Sequence, residues 1–283
     1  MVSWQIGDVK ITRVVEMVSE KGNRFILPMA TAEALEPYPW LKPHFVNEEG
    51  KLIMSIHALI VETPDRTIMV DTCLGNDKKR DMPLWNMRSG PFLEDISNAG
   101  YPREKIDAVM CTHLHVDHVG WNTMLVDGKW VPTFPNARYL MADKEFNYWR
   151  DSRDDPSYND IFDDSVQPIF DAGLVDLVDT EAQICPEIKL EPTFGHTPGH
   201  VSLHITSNGE EAIITGDFMH HPCQIARPDW CAVVDYDQTE SHKTRLDFFS
   251  KYSDRPVLII GTHFSGPSAG HLIRDGDNYR LKV

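Results

Sequence analysis

A chain of 283 residues, 41% of them hydrophobic, is long enough to bury a sizeable core. Its formal net charge of −16 disfavours phosphate backbones and anionic lipid surfaces, so neither nucleic acid nor membrane is an expected partner. Five cysteines, Cys73, Cys111, Cys185, Cys223 and Cys231, are an odd number without C-x-x-C spacing; reduced thiols and a cytoplasmic location are expected rather than a disulfide framework.

The N-terminal residues show no basic segment leading into an apolar run, so no secretory leader is expected. No stretch approaches the ~20 apolar residues of a membrane helix. Residues 5–18 alternate as an edge strand or hairpin would. Over residues 22–49, Pro28, Pro37, Pro39 and Pro43 punctuate a segment that carries Phe25, Tyr38, Trp40 and Phe45. Prolines at that density exclude a regular helix or a central strand. Its aromatics must bury against something, and two roles stay open: a lid or substrate wall, or a contact with a second copy of the chain. Residues 56–62 and 67–71 predict a hairpin turned at Thr63, Pro64, Asp65 and Arg66. Lys78, Lys79 and Arg80 form a basic run that Asp81 follows, and they read as a solvated loop. Residues 90–99 predict a helix stopped by Gly100 and Pro102. Residues 106–111 are β-branched and apolar enough for a short buried strand.

Further on, residues 137–141 predict a strand, and 143–150 and 161–172 predict helices around an acidic, proline-containing insertion. Residues 175–178, 188–191, 202–205 and 212–215 predict short strands. Residues 241–252 predict a helix, and 257–260 a buried strand running toward His263. No internal repeat appears.

Directly after Cys111 the chain reads Thr112-His113-Leu114-His115-Val116-Asp117-His118-Val119-Gly120. Three of the 13 histidines and an aspartate crowd into six positions, in a loop that a rigid strand end can aim at one point. Imidazole and carboxylate are ligands for zinc and similar divalent ions. This stretch resembles the HxHxDH signature of the metallo-β-lactamase superfamily. The later positions of that pattern also match in order: His196 in Phe194-Gly195-His196-Thr197-Pro198-Gly199-His200, Asp217 after Thr215-Gly216, and His263 after Gly261-Thr262. The narrower likeness is to the N-acyl-homoserine lactonases and the methyl-parathion-hydrolase-like enzymes.

The resemblance implies an α+β fold, a four-layer αβ/βα sandwich of two mixed sheets packed face to face with helices outside, as one domain over residues 1–283. It implies two divalent ions, zinc or else manganese, iron or cobalt. One would be held by His113, His115 and His196, the other by Asp117, His118 and His263, with Asp217 bridging them. Such a pair lowers the pKa of a bound water toward ~7 and makes a nucleophile at neutral pH. With two ions at +4 and Asp117, Asp217 and a hydroxide returning −3, the site suits an anionic intermediate. Asp117 is a candidate to move the proton as well as to bind metal. Asp71, at the end of residues 67–70, resembles the family aspartate that orients a metal histidine. His115 stands where the related diiron flavoproteins usually carry a carboxylate, which favours hydrolysis over oxygen reduction. His220 occupies the place where lactonases put a hydrogen-bond donor, often tyrosine; whether an imidazole keeps that role stays open. His200 is expected to support the site rather than ligate, and His44, His57, His204, His242 and His271 are expected to be surface or core residues.

Gly266-Pro267-Ser268-Ala269-Gly270 matches the G-x-S-x-G pattern of serine hydrolases. A nucleophile elbow needs a strand entering the turn and a helix leaving it, and Leu272, Ile273 and Arg274 reach Asp275 and Gly276 too soon for a helix. Ser268 is therefore not expected to be a nucleophile. The expected function is hydrolysis of an ester-like bond, with a neutral lactone carrying an apolar tail first. A phosphotriester or aryl ester, then a thioester or β-lactam, are the alternatives, and a metal-retaining binding module is the non-enzymatic one. Phe25, Tyr38, Trp40, Phe45, Trp85, Trp121 and Phe218 are expected to wall an apolar pocket.

Overall fold

Alternation in the first twenty residues resolves into a hairpin, β1 (Val2–Ile6) and β2 (Val9–Ser19), paired antiparallel from Val2↔Arg13 to Ile6↔Val9. The computed structural model describes residues 2–20, 23–152 and 156–283. Gly22, the first residue of the proline-rich segment, and residues 153–155 of the acidic insertion lie outside the described residues. The chain divides into two compact units, one of Met1–Glu16 with Ile56–Thr180, the other of Met17–Ser55 with Glu181–Val283.

The first sheet adds β3 (Met54–Glu62), β4 (Thr67–Val70) and β5 (Ala108–Cys111). A small separate hairpin follows, β6 (Thr123–Val126) and β7 (Lys129–Pro132). Then β8 (Arg138–Ala142) and β9 (Val175–Val178) complete the seven-stranded order β1-β2-β3-β4-β5-β8-β9. From β4 onward neighbours run parallel, with Val70↔Met110 and Cys111↔Met141 in register. All four residues of β5 are buried, as the near-continuous apolar run of a parallel strand requires.

The second sheet contains β10 (Gln183–Cys185), β11 (Ile188–Pro192), β12 (Val201–Ser207), β13 (Glu210–Ile214), β14 (Val257–Ile260), β15 (Ala269–Asp275) and β16 (Asn278–Lys282), in sequence order. Only β13 and β14 pair parallel. A parallel pair needs a crossover, and the helix Gln238–Tyr252 lies in it. Asp237 caps that helix, accepting from the N–H groups of Thr239 and Glu240. It buries Ser241, Arg245, Phe248, Phe249 and Tyr252, a stripe at helical spacing.

The proline-rich segment is neither a regular helix nor a central strand, as its prolines require. It forms single helical turns, Asn23–Ile26, Ala32–Leu35 and Pro39–Leu41. It sends Leu27, Leu35, Leu41, Phe45 and Val46 into the core of the second unit, beside Phe248, Phe249 and Ile259. Tyr38 and Trp40 pack against that core, whereas Phe25 stays 54% exposed. The expected helix over 161–172 is two helices, Pro156–Ser165 and Gln167–Asp171. Pro168 has no N–H for the bond a continuous helix would need and sits instead in the first turn of the second helix.

The basic run is also corrected. Lys78 is buried, with Nζ 2.8 Å from Thr123 Oγ1, 3.3 Å from Asp164 Oδ1, and 3.8 Å above the Trp130 ring. Arg80 grips both oxygens of the same Asp164, at 2.7 and 2.9 Å. Desolvation pushes the Lys78 ammonium down to about 8, against the pull of Asp164. The cluster fastens the 78–80 loop to the helix Pro156–Ser165.

Candidate metal centre

In the first unit the site begins where two parallel strands end side by side. Asp71 follows β4 with φ 57°, a left-handed conformation that aspartate tolerates better than most residues. Its N–H donates to Met110 O on β5 at 3.0 Å. Its carboxylate then accepts from Thr112 N–H (2.8 Å), from the Thr112 hydroxyl (2.9 Å) and from His118 Nδ1 (2.8 Å). Asp71 thereby fixes the orientation of the His118 ring. Because the Thr112 proton points to Asp71, Thr112 Oγ1 accepts from His113 Nδ1, 3.0 Å away. That assignment of the tautomer from the network leaves a lone pair on His113 Nε2, which lies 3.1 Å from His115 Nδ1.

Asp117 and His118 sit in a helical turn, Val116–Val119, with His118 Nε2 3.8 Å from Asp117 Oδ1. Gly120 follows the turn, where only glycine fits, because a Cβ there would lie 1.9 Å from Leu74 O. Leu114, between the first two histidines, is clamped from both sides. Its N–H donates to Glu145 Oε1 at 3.1 Å, and its carbonyl accepts from the Tyr158 hydroxyl at 2.9 Å. Trp149 stacks on Tyr158, meets the His115 ring edge-on and donates to Glu145.

In the second unit the parallel pair β13 and β14 likewise delivers Asp217 and His263. Asp217 lies in the turn Gly216–Phe218, and Thr262 Oγ1 is 2.9 Å from its Oδ1. Oδ2 faces three imidazole Nε2 atoms: His263 at 3.0 Å, His220 at 3.3 Å and His196 at 3.8 Å. His263 Nδ1 is 2.9 Å from Ser55 O, and His196 Nδ1 is 2.9 Å from Asp235 Oδ1. Asp235 is itself fixed by Ala232 N–H and the Ser241 hydroxyl. Gly195, with φ +118°, brings the backbone so close to the crossover helix that a Cβ would lie 2.2 Å from Ser241 N.

These residues fit a divalent ion. A carbonyl or carboxylate opposite Nδ1 requires the proton there, so a neutral His263 and a neutral His196 each turn an Nε2 lone pair toward Asp217 Oδ2. Lone pairs converging on an anionic oxygen call for a cation. Ligating histidines characteristically have the other nitrogen tied in this way, and imidazole with carboxylate is a zinc-type donor set. Desolvation pushes His220 down to about 3, outweighing the raising effect of Asp217.

The structure thus brings His113 close to His115, Asp117 close to His118, and His196, His220 and His263 around Asp217. Glu145, Tyr158 and Asp235 were missed in the sequence. Of the expected aromatic wall, Phe45, Trp121 and Phe218 are buried core residues. Trp121 stacks on Phe92 and donates to Glu16, and Phe218 packs on Phe248. Ser268 is fully buried, bonds its hydroxyl to Phe264 O and leads into strand β15 rather than a helix.

Residues 54–263 match the metallo-β-lactamase superfamily. The chain belongs to that superfamily, and its two mixed sheets with flanking helices are the superfamily fold. It is 23% identical over 185 residues to an N-acyl homoserine lactonase of Bacillus sp, covering 59% of this chain and 66% of the lactonase. It is 30% identical over 192 residues to the transcription termination factor FttA of Pyrococcus horikoshii, covering 60% of this chain and 27% of the factor. The chain therefore spans less than two thirds of the length of either relative. Among solved structures, the hydrolase AbOPH of the β-lactamase superfamily superposes with a TM-score of 0.80 at 25% identity, covering 99% of this chain and 96% of that one. AidC, a dizinc quorum-quenching lactonase in complex with a product, superposes with a TM-score of 0.80 at 19% identity over the same shares.

Proposed function

We propose that this chain is a dinuclear metal-dependent hydrolase of ester-like bonds, and that a neutral lactone with an apolar tail is its favoured substrate class. The observation that carries this reading is the set of imidazole nitrogens turned on Asp217 Oδ2, two of them with the far nitrogen tied to an acceptor. In this reading His113, His115 and His196 hold one ion, Asp117, His118 and His263 hold the other, and Asp217 bridges. A bound pair of divalent ions supplies Lewis acidity and a water acidic enough to attack at neutral pH.

The chain's own residues do the rest. Asp71, Thr112, Asp235 and the Ser55 carbonyl hold the rings in one tautomer. Asp117, whose side chain is 12% exposed against 4% for Asp217, is the carboxylate with access to a proton from water or the leaving group. Beside Val116, within the first unit, Met82, Trp85 and Ile161 border a cleft of about 160 Å³ with Lys79, Arg80, Asp81 and Asp160 also lining it. Apolar walls with a few polar groups suit the tail of an uncharged ester. The similarity to a lactonase supports ranking the lactone ahead of an aryl ester or phosphotriester.

The test is metal analysis of protein purified without chelator, followed by turnover of acyl-homoserine lactones, aliphatic lactones, an aryl ester and an aryl phosphotriester. Two ions per chain, chelator-sensitive turnover and a lactone as the fastest substrate are expected. A phosphotriester hydrolysed far faster than every lactone moves the substrate assignment to that class. Full activity with a single ion, or in Asp217→Ala, removes the dinuclear mechanism. Metal binding with no hydrolysis of any of the four classes leaves a binding module.

A further inference from the structure

We propose that His220 is itself a metal ligand, sharing one ion of the centre with His196 and Asp217; the inference rests on the dinuclear reading above. One donor atom from each of these three residues lies within 4.8 Å of the other two, and all three residues are buried. Two donor atoms bound to one ion at about 2.0–2.1 Å lie no more than roughly 4.2 Å apart, and His220 Nε2 stands 3.3 Å from Asp217 Oδ2. The ring meets His196 edge-on at 4.8 Å between centroids and lies parallel to His263 at 5.9 Å.

The competing arrangement is a hydrogen bond from a protonated Nε2 to Asp217. The convergence on Asp217 favours ligation. Asp217 Oδ2 already faces the Nε2 lone pairs of His263 and His196, so one proton on His220 would relieve a single contact in a convergence that bound cations relieve as a whole. On the far side of the ring, His220 Nδ1 is buried and has no hydrogen-bond partner in either arrangement. The ring is held from its backbone instead. Gln224 Oε1 accepts from the N–H of His220 at 2.7 Å, and Gln224 Nε2 donates to Trp230 O at 2.8 Å. His220 therefore reaches Asp217 from a fixed turn without a tautomer-setting partner, unlike His196 and His263.

Cobalt(II) titrated into metal-free protein tests the assignment, with affinity read by chelator competition and coordination by the visible absorption bands. In His220→Ala, one of the two ions is expected to bind more than ~100-fold more weakly, beyond the ~10–100-fold that an outer hydrogen-bond partner costs. The visible bands are expected to shift in position and intensity. If circular dichroism shows that His220→Ala does not fold, His220→Phe, which keeps a ring but no donor nitrogen, carries the same measurement. Wild-type protein that binds two cobalt ions while the folded variant matches it in affinity and spectrum overturns the ligand assignment alone. Wild-type protein that binds no cobalt overturns the metal reading and this inference together.

Discussion

The backbone N–H of Asp217 donates to His200 Nε2 at 2.7 Å, and that bond decides which way the His200 ring is protonated. With Nε2 accepting, Nδ1 carries the proton and donates to Thr193 Oγ1 at 2.8 Å. The Thr193 and Ser202 hydroxyls lie 3.0 Å apart, and Ser202 donates to Thr215 O at 2.6 Å. Thr215 is two residues before Asp217, so the chain of bonds closes on the turn that presents the Asp217 carboxylate. His200 acts through Asp217 and has no call on a metal.

His200→Ala is therefore expected to leave the buried Asp217 amide unsatisfied, at a cost of about 1–3 kcal/mol. It should also weaken metal binding by roughly 10–100-fold. Urea unfolding of the metal-free protein measures the first and chelator competition the second. Lost stability with unchanged metal affinity would show that the closed ring of bonds supports the fold without aiming Asp217.

Asp71→Asn isolates a charge in the first unit. Asparagine tolerates the left-handed backbone that Asp71 adopts, so the turn is expected to survive. The amide cannot accept all that the carboxylate accepts from Thr112 and His118. Metal affinity is expected to fall roughly 10–100-fold. Asp71→Ala should be less stable than Asp71→Asn, because it loses the backbone tolerance as well. Equal stability of the two variants by urea titration would contradict the conformational part of this account.

His113, His115, Asp117 and His118 are local in sequence, which is why they were legible there, whereas His196, Asp217 and His263 were legible through the resemblance of their motifs. His113 to His118 span one loop after one strand, and the strands on either side are continuous apolar runs. What could not be read is what depends on long-range partners. Asp235 orients His196 from 39 positions away. Lys78 looks like a surface residue until Asp164, 86 positions on, and Trp130 enclose it. The burial of Trp121 and Phe218 was invisible for the same reason, since an aromatic residue fits a core as readily as a pocket wall. Pro168 marks a break within residues 161–172 that the helical periodicity around it hides. Strands β15 and β16 alternate too weakly, with Asp275 and Asp277 at the turn, to stand out.

Ser268→Ala is expected to keep most activity. The hydroxyl is buried against Phe264 O, and Ser268 has φ 57° in a turn that a strand, not a helix, leaves. Chelation should abolish turnover in the same assay. Recovery of covalently trapped substrate at Ser268 after a rapid quench would reverse the assignment.

Burial pushes the His221 imidazole from its usual 6.5 down to about 4. It is buried between Phe45 O, which accepts from Nε2 at 2.8 Å, and the Cys223 N–H, which donates to Nδ1 at 3.0 Å. The neutral ring satisfies both, and a second proton would break the bond from Cys223. Between pH 6.5 and about 4 the unfolded chain binds a proton that the folded chain refuses. His221 thus stabilises the fold fully above pH 6.5, and that contribution is lost as pH falls through about 4. Its full size is on the order of 3 kcal/mol. Urea midpoints of metal-free wild type and His221→Gln from neutral pH to pH 4 should converge as the solution is acidified. Parallel profiles would show that His221 titrates alike in both states.

Under the proposed lactonase reading, the cleft beside Val116 would set a length for the substrate tail. Its volume of about 160 Å³ gives room for a short to medium aliphatic chain. Each methylene that leaves water contributes about 0.8 kcal/mol, which is roughly four-fold in kcat/KM per step. A series of acyl-homoserine lactones should therefore show kcat/KM climbing with chain length and then levelling once the cleft is filled. Trp85 is the largest of the four apolar side chains that border it, so Trp85→Ala should lower kcat/KM for the shorter chains and move the plateau to longer ones. Wild type and variant assayed under one metal condition give both curves. A flat dependence on chain length in the wild type, or a plateau that Trp85→Ala leaves in place, would mean that the tail binds elsewhere.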